Sequence, residues 1–268
     1  MMTHQPSHFI KPPSDCRLPD HEVHIWLAEL NQPPATHDEA ILSLPPDEMA
    51  RANRFVYAKD RRRFIVCRTA LRNILANYLE TNPEDIHFQY GKNGKPCLSV
   101  ENAPFNIQFN IAHSDDIALL AFSRDHAIGV DIEHIRDLPD MMKMAERVFT
   151  AREHEIFCRL PSDTQSNHFF DAWVAKEAVL KATGDGLSLP MDNLELSTVS
   201  ELMIGQPDWQ NAFIHDRRWM IGTFFALPFY TAAFAVEDHP FQARFWQWHP
   251  QHKISRSLAF HEVNFSKP

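Results

Sequence analysis

Cysteine is scarce in this 268-residue chain, and its four copies lie far apart with no CxxC pair. That spacing indicates neither a disulfide framework nor a zinc ribbon. The first residues lack the continuous apolar stretch of a secretory signal, and no segment is long enough without charge to cross a bilayer. We therefore expect a cytoplasmic protein that does not enter membranes.

Glycine is scarce too, with seven copies against nineteen prolines. No Walker loop and no GxGxxG occurs, so no glycine-rich loop can hold a nucleotide. Ser114 lacks the GxSxG elbow of a hydrolytic nucleophile, and His21 and His24 do not form an HExxH zinc motif. These absences leave the common nucleotide folds, serine hydrolases and zinc proteases without support.

Charge is unevenly distributed along the chain, whose formal net charge is −9. Eight basic residues against one acid lie between Arg51 and Arg72, and seven acids lie between Asp115 and Asp140. A basic and an acidic element together suit a metal-bound, anionic substrate. The alternative is that these charges line solvated helix and loop faces. The net negative charge argues against a nucleic-acid-binding protein.

Hydrophobic periodicity predicts an α+β fold. Residues that favour a helix start predict a helix from Pro45 onward. Further helices are predicted over 60–80, 139–149, 151–160 and 164–183, and the last of them is expected to end at Gly184. Strands are expected at 22–30, 86–90, 95–100, 105–111, 117–122, 127–132, 194–199, 218–225 and 230–236. Residues 242–268 have no clear period.

Two short motifs carry candidate chemistry. In the strand Gly129-Val130-Asp131-Ile132-Glu133 the two acids share a face, about 6–7 Å apart along the strand, and suit a hard cation such as Mg²⁺. An exposed strand edge is the alternative. In the helix predicted over 164–183, Trp173, Glu177 and Lys181 share one face, because they are spaced at i, i+4 and i+8. A surface ion pair is the alternative there, but Trp173 favours a face that lines a cleft.

A third motif, Asn110-Ile111-Ala112-His113-Ser114, is expected to end a strand in a polar turn near the same acids. The three motifs together resemble the 4′-phosphopantetheinyl transferase superfamily, specifically its large surfactin-synthetase-activating type. The family pattern is an asparagine-x-serine-histidine-serine turn, a GxDxE strand and a WxxKE[A/S]xxK helix, and the resemblance covers residues 45–190. It also includes Gly94-Lys95-Pro96, the basic helix and GDGLSLP.

The resemblance implies a pseudodimer of two similar α/β halves. Each half would be a small, mainly antiparallel sheet packed by helices, with the ligand crevice between the halves. Residues 1–126 would form the N-terminal half with the basic helix and part of the coenzyme A site, and 127–240 the C-terminal half with the metal site and catalytic helix. The resemblance does not extend to residues 241–268, and their lack of a clear period predicts a peripheral extension.

The resemblance also implies an activity and its residues. The activity is Mg²⁺-dependent transfer of phosphopantetheine from coenzyme A to a serine of an apo acyl, peptidyl or aryl carrier protein, by a monomer, with Mn²⁺ as an alternative ion. The metal ligands would be Asp131, Glu133 and Glu177. The catalytic residues would be Glu177 and Lys181. The residues that bind coenzyme A would be Arg51, Arg63, Lys95, Pro96, His113, Ser114 and Lys181.

Three positions depart from the family pattern and leave the 3′-phosphate pocket open to question. Ala112 replaces a common serine, Glu48 stands where a relative carries a phosphate-binding lysine, and Phe64 replaces a small hydroxylic residue. Two other functions remain in view. One is a non-catalytic module that binds coenzyme A, and the other is a polyanion-binding protein that uses the basic helix.

Overall fold

The structure of the protein is a computed structural model. It describes residues 9–33, 40, 44–91, 94–99, 106–184, 189–198, 208–214, 216–239 and 241–250. No helix in these ranges is both long and apolar enough to cross a membrane.

In the first half of the chain, the described residues include two helices, a small hairpin and three longer strands. They are β1 (Glu22–Glu29), α1 (Pro46–Ala52), α2 (Ala58–Tyr78), β2 (Phe88–Tyr90), β3 (Pro96–Leu98), β4 (Ile107–Ser114) and β5 (Ile117–Arg124). The turn expected at Lys92-Asn93-Gly94 lies partly outside the described residues.

The described part of the second half contributes three helices and six strands. They are β6 (Ile128–His134), α3 (Met141–Val148), α4 (Ala151–Cys158), α5 (Ser162–Thr183), β7 (Ser197–Thr198), β8 (Asp208–Ile214), β9 (Arg217–Leu227), β10 (Tyr230–Glu237) and β11 (Gln242–Gln247). Helix α5 stops at Gly184, whose φ of 80° is left-handed, as expected for a glycine that ends a helix.

Two main sheets pack face to face between two long helices. The first sheet has the order β11-β1-β5-β4 and the second β6-β10-β9-β8-β7. Successive side chains of a strand point to opposite faces of its sheet. In β1, Val23, Ile25 and Leu27 therefore lie in the layer between the sheets, whereas Trp26 faces α2. Likewise Ala233 of β10 faces α5. The layer order is therefore α2, first sheet, second sheet, α5.

The predicted α+β class with mainly antiparallel sheets is confirmed. The second sheet and α5 lie within residues 127–240, whereas the first sheet combines three strands from residues 1–126 with β11 from the tail. The expected polar turn at residues 112–114 is wrong. Strand β4 continues to Ser114, which pairs with Ile117 of β5, and the turn is made by Asp115 and Asp116. Asp115 has a φ of 48°, a left-handed conformation that aspartate tolerates better than most residues.

The tail is integrated into the fold over residues 242–247. Strand β11 pairs in parallel with β1, its Gln242 opposite Glu22 and its Gln247 opposite Leu27. Phe245 packs against Phe224 of the second sheet, with ring centroids 5.0 Å apart. This segment is therefore a strand of the first sheet and not the peripheral extension expected from its sequence. Its Phe245 packs in the layer between the sheets, and its Trp246 packs on the α2 side of the first sheet.

Candidate functional site

Strand β6 presents two acids on the face opposite its core residues. Val130 and Ile132 are buried in the layer between the sheets. Asp131 and Glu133 therefore point to the other face, where α5 lies. Asp131 is only 6% exposed, whereas Glu133 is partly open to solvent.

Gly129 sets the distance between this strand and helix α5. A Cβ atom at this position would lie 2.0 Å from the carbonyl oxygen of Ala178 and 2.5 Å from the nitrogen of Ala182. Only a residue without a side chain allows the helix to approach so closely. The close approach brings Lys181 onto Asp131, with 2.6 Å between its Nζ and the Asp131 Oδ1.

The three predicted metal acids lie near enough to perturb one another. Burial raises the pKa of Asp131 to about 6, Glu177 and Glu133 add to the rise, and Lys181 opposes it. Burial also raises the pKa of Glu177, with a further contribution from Glu133 and opposition from Lys181. Such mutual repulsion among carboxylates is what a bound cation relieves.

The chemistry of these donors fits a hard divalent cation. The Asp131 Oδ2 atom is buried and has no hydrogen-bond partner among the described residues, and carboxylate oxygens are the ligands that Mg²⁺ takes from proteins. Within the same residues no three His, Cys, Asp or Glu side chains form a preassembled metal site. The donors therefore match the ion in type and charge, and a bound ion would have to draw them closer.

Ser114 and His113 lie on opposite faces of β4. The Ser114 Oγ donates to the Glu133 Oε2 over 3.2 Å and accepts from the His134 backbone N–H over 3.1 Å. Ser114 therefore orients an acid of β6. His113 is exposed on the side of a neighbouring cavity, and its pKa is lowered by desolvation and by the nearby charges of Arg63 and Lys181.

This cavity has a volume of about 250 Å³ and has His113 in its lining. Through His113 it adjoins the acid cluster, because Glu133 and Lys181 lie near enough to affect the pKa of this histidine. Arginines and aromatic rings dominate its lining. Its lining residues include Arg51, Arg63, Phe64, Tyr90, Pro96 and His113. The Arg51 guanidinium carbon lies 5.6 Å from the centroid of the Phe64 ring and 5.3 Å from that of Tyr90. Flat rings with cations among them suit a planar base that carries phosphates.

Arg63 is already engaged by acids. Its Nε donates to the Asp116 Oδ1 over 2.8 Å, and ion pairs at 3.6 Å and 3.9 Å link it to Asp60 and Asp115. An anionic ligand at Arg63 would have to compete with these partners, so the expected contribution of Arg63 to phosphate binding is reduced.

Glu48 is a structural residue. It is 1% exposed and lies between two arginines of α2, with its Oε1 3.1 Å from the Arg68 Nε and its Oε2 2.7 Å from the Arg72 Nε. Arg72 also donates to the backbone oxygens of Pro83 and Ile86. Part of the basic character of α2 is therefore used inside the fold.

Lys95 does not extend into the cavity that its neighbour Pro96 lines. Its ammonium donates to the backbone oxygen of Lys181 over 2.7 Å and to that of Ile128 over 3.2 Å. Desolvation lowers the pKa of Lys95 to about 8. The family resemblance implied that this lysine contacts coenzyme A, whereas in the structure its ammonium is bound to backbone oxygens of α5 and β6.

Two further residues belong to the motifs named above but received no role from the sequence. The Asn110 Oδ1 accepts from the Val130 N–H over 3.0 Å, so it joins the edge strands β4 and β6. Lys176 is fully buried and donates to Glu153 of α4 and to the backbone oxygens of Val148 and Met191. The sequence signal for Asn110 was a polar side chain within an apolar strand. The signal for Lys176 was a lysine among the buried positions of a helix.

The predicted residues thus form two adjoining groups. Asp131, Glu133, Glu177, Lys181 and Ser114 lie around the contact between β6 and α5, and Arg51, Arg63, Pro96 and His113 line the cavity. Lys95 lies between the groups. Their residue types suit a site in which an anionic ligand binds in the aromatic pocket and extends to the carboxylate cluster.

Known proteins share this sequence pattern. One family model, described as 4′-phosphopantetheinyl transferase superfamily, matches residues 127–217, and another, described as 4′-phosphopantetheinyl transferase, N-terminal, matches residues 31–125.

Individual relatives carry names from the same family. The 4′-phosphopantetheinyl transferase HetI of Nostoc sp. is 40% identical over 187 residues, which cover 70% of this chain and 78% of the relative. The 4′-phosphopantetheinyl transferase Sfp of Bacillus subtilis is 29% identical over 167 residues, covering 62% of this chain and 72% of its own length. These likenesses span both groups of site residues, and the chain belongs to the 4′-phosphopantetheinyl transferase superfamily.

Proposed function

We propose that this protein transfers the 4′-phosphopantetheine group of coenzyme A to a serine of an apo carrier protein, and that 3′,5′-ADP is released. The observation that carries the proposal is the 2.6 Å contact between Lys181 and Asp131 beside Glu133 and Glu177, next to a cavity lined by arginines and aromatic rings. Family membership gives the reaction class.

The cavity would receive the adenine end of coenzyme A. Tyr90, Phe64 and Pro96 offer flat apolar surface, and Arg51 and His113 offer donors for phosphate oxygens. Arg63 would contribute less than Arg51 because three aspartates already neutralise it. The pyrophosphate would then extend toward β6.

Asp131, Glu133 and Glu177 would hold Mg²⁺, or Mn²⁺ in its place, and the ion would neutralise charge on the pyrophosphate. Lys181 would place its ammonium on the leaving phosphate. The serine oxygen of the carrier forms a bond to the β-phosphorus as the bond from that phosphorus to the bridging oxygen breaks. Glu177, directly or through a water molecule, would take the serine proton. Because a carboxylate that also binds the ion is a poor base, a water molecule or hydroxide would be the alternative acceptor of this proton.

The acceptor is proposed to be an acidic helical carrier domain that docks beside Glu177. Helix α3 is the candidate surface, because Met142 is 44% exposed there while Lys143 and Arg147 are also open to solvent. An apolar contact ringed by basic side chains suits an acidic partner. We further propose a cytoplasmic monomer, a location that its four free cysteines support.

Intact-protein mass spectrometry tests the proposal. Several apo carrier proteins are incubated with the protein, coenzyme A and Mg²⁺, and at least one should gain a single phosphopantetheine. Coenzyme A binding without this gain on any carrier would instead support a non-catalytic binding module and overturn the proposal.

A matched pair of variants tests the assigned acids. Glu177→Gln should keep coenzyme A binding and lose transfer, whereas Glu155→Gln on the exposed face of α4 should behave as the wild type. Full activity of Glu177→Gln would remove this residue from the reaction.

A further inference from the structure

Lys95 connects three elements of the protein through one side chain. It lies in the hairpin of β2 and β3, where its own backbone oxygen accepts from the Gly91 N–H over 2.9 Å. Its ammonium leaves the hairpin and donates to backbone oxygens of α5, at Lys181, and of β6, at Ile128. One residue therefore fixes the hairpin, the helix and the strand relative to each other.

The two acceptors of Lys95 are specific to the reacting region. Lys181 is the residue whose own ammonium holds Asp131, and Ile128 begins the strand that carries Asp131. Lys95 thus contacts the backbone of both elements that meet in this ion pair. Any shift of α5 along β6 would break a Lys95 hydrogen bond and lengthen the ion pair.

The end of a helix is a favourable place for such a cation. The Lys181 carbonyl belongs to the last turn of α5, where carbonyl oxygens have no regular donor inside the helix. A positive charge there is further stabilised by the helix dipole. The Lys95 ammonium therefore has a structural reason to stay on these oxygens.

The neighbours of Lys95 along the chain face the cavity. Gly94 and Pro96 both line it, so the hairpin forms part of the wall that would contact the donor. Lys95 consequently sets how far this wall lies from Asp131 and Lys181. In a transfer reaction that distance determines whether the phosphate of a bound donor reaches the reacting groups.

We propose that Lys95 is a positioning residue for phosphopantetheine transfer, which holds the donor-binding hairpin at a fixed distance from the Asp131–Lys181 pair and does not bind a donor phosphate. The inference rests on the proposed function. It reverses the role expected from the sequence, in which Lys95 contacts coenzyme A.

The split between kcat and KM distinguishes the two roles. Lys95→Met keeps the aliphatic length and removes the ammonium. A positioning role predicts that kcat falls about tenfold or more while the KM for coenzyme A changes less than about threefold. A phosphate-binding role predicts the reverse, with KM rising about tenfold or more and little change in kcat, and that result would overturn the proposal.

A double-mutant cycle with Lys181→Met adds a readout that a general loss of stability would not give. Lys181→Met keeps the backbone oxygen that Lys95 binds but removes the ammonium. If Lys95 acts by bringing the donor phosphate to that ammonium, adding Lys95→Met to Lys181→Met should lower kcat by less than about threefold. Fully multiplicative losses would refute action through Lys181.

Controls make the result interpretable. The exposed Lys11 provides a matched Lys11→Met variant, which should leave both constants unchanged. Lys95→Gln, which retains donors for the two carbonyls, should recover part of kcat and serves as the measurement if Lys95→Met does not fold. Wild-type transfer is measured first, so that a failure of the proposed function is seen before any Lys95 variant is assayed.

Discussion

The Lys181 ammonium lies 2.6 Å from the Asp131 carboxylate, and the backbone oxygen of the same lysine accepts a hydrogen bond from Lys95. Lys181 therefore joins the acid strand through its side chain and the donor-side hairpin through its backbone. The contact depends on Gly129, which lets α5 lie directly on β6.

Replacing Lys181 by methionine should destabilise the fold by about 1–3 kcal/mol near neutral pH, because the buried Asp131 carboxylate loses its cation. The loss should shrink toward pH 5. The pKa of Asp131 is already raised to about 6 and would rise further without Lys181, so below that pH the carboxyl group is neutral in both proteins.

Urea unfolding of Lys181→Met at about pH 7.5 and about pH 5 measures this difference. Lys143→Met, which removes an exposed ion pair with Asp140, serves as control and should change stability by less than about 0.5 kcal/mol. An equal loss for Lys181→Met at both pH values would contradict the assigned ion pair.

Gly129→Ala should separate α5 from β6. Its Cβ would lie 2.0 Å from the Ala178 oxygen, so the helix must shift, at a cost of about 1–3 kcal/mol or more. We expect a lower melting temperature together with strongly reduced transfer. Gly91→Ala, whose Cβ would meet its nearest atom at 3.7 Å, should melt like the wild type. Unchanged melting of Gly129→Ala would show that the helix lies farther from the strand.

Glu48→Gln should be among the most destabilising single-atom changes in the chain. It leaves Arg68 and Arg72 of α2 buried without their carboxylate, and breaking a buried ion pair by removing one partner costs about 3–5 kcal/mol. Thermal unfolding checks this, with the exposed Glu80→Gln as control. A small effect would contradict the structural role assigned to Glu48.

Tyr78→Phe should destabilise the fold, because it removes a buried hydroxyl group. The Tyr78 oxygen lies 2.7 Å from both the Trp26 Nε1 and the His24 Nδ1. Without it the buried Trp26 N–H loses its acceptor, at a cost of about 1–3 kcal/mol. Urea unfolding provides the measurement, and the exposed Tyr57→Phe should have no effect. Equal stability of the two variants would argue against this network.

The sequence predicted the elements with strong periodicity and the residues with a distinctive spacing. β6 and α5 were found because apolar side chains alternate around Asp131 and recur around Glu177. β8 and β11 were missed, because their polar and aromatic residues gain a strand conformation only from pairing with β9 and β1.

The roles of long side chains were harder to predict than their positions. Lys95 and Arg63 both occur where the family pattern places coenzyme A contacts, yet Lys95 reaches backbone oxygens and Arg63 reaches three aspartates. A lysine or arginine can extend in several directions, and its partner depends on which acceptors the fold places nearby. Sequence spacing does not contain that information.

The parallel pairing of β1 with β11 bears on how the protein is made. Glu22 of β1 pairs with Gln242 of β11, so the first sheet is completed only after β11 has left the ribosome. Contacts between such distant segments form slowly. Until then β1 keeps an open edge that can pair with another chain, and during synthesis the first sheet depends on the arrival of β11 for protection from aggregation.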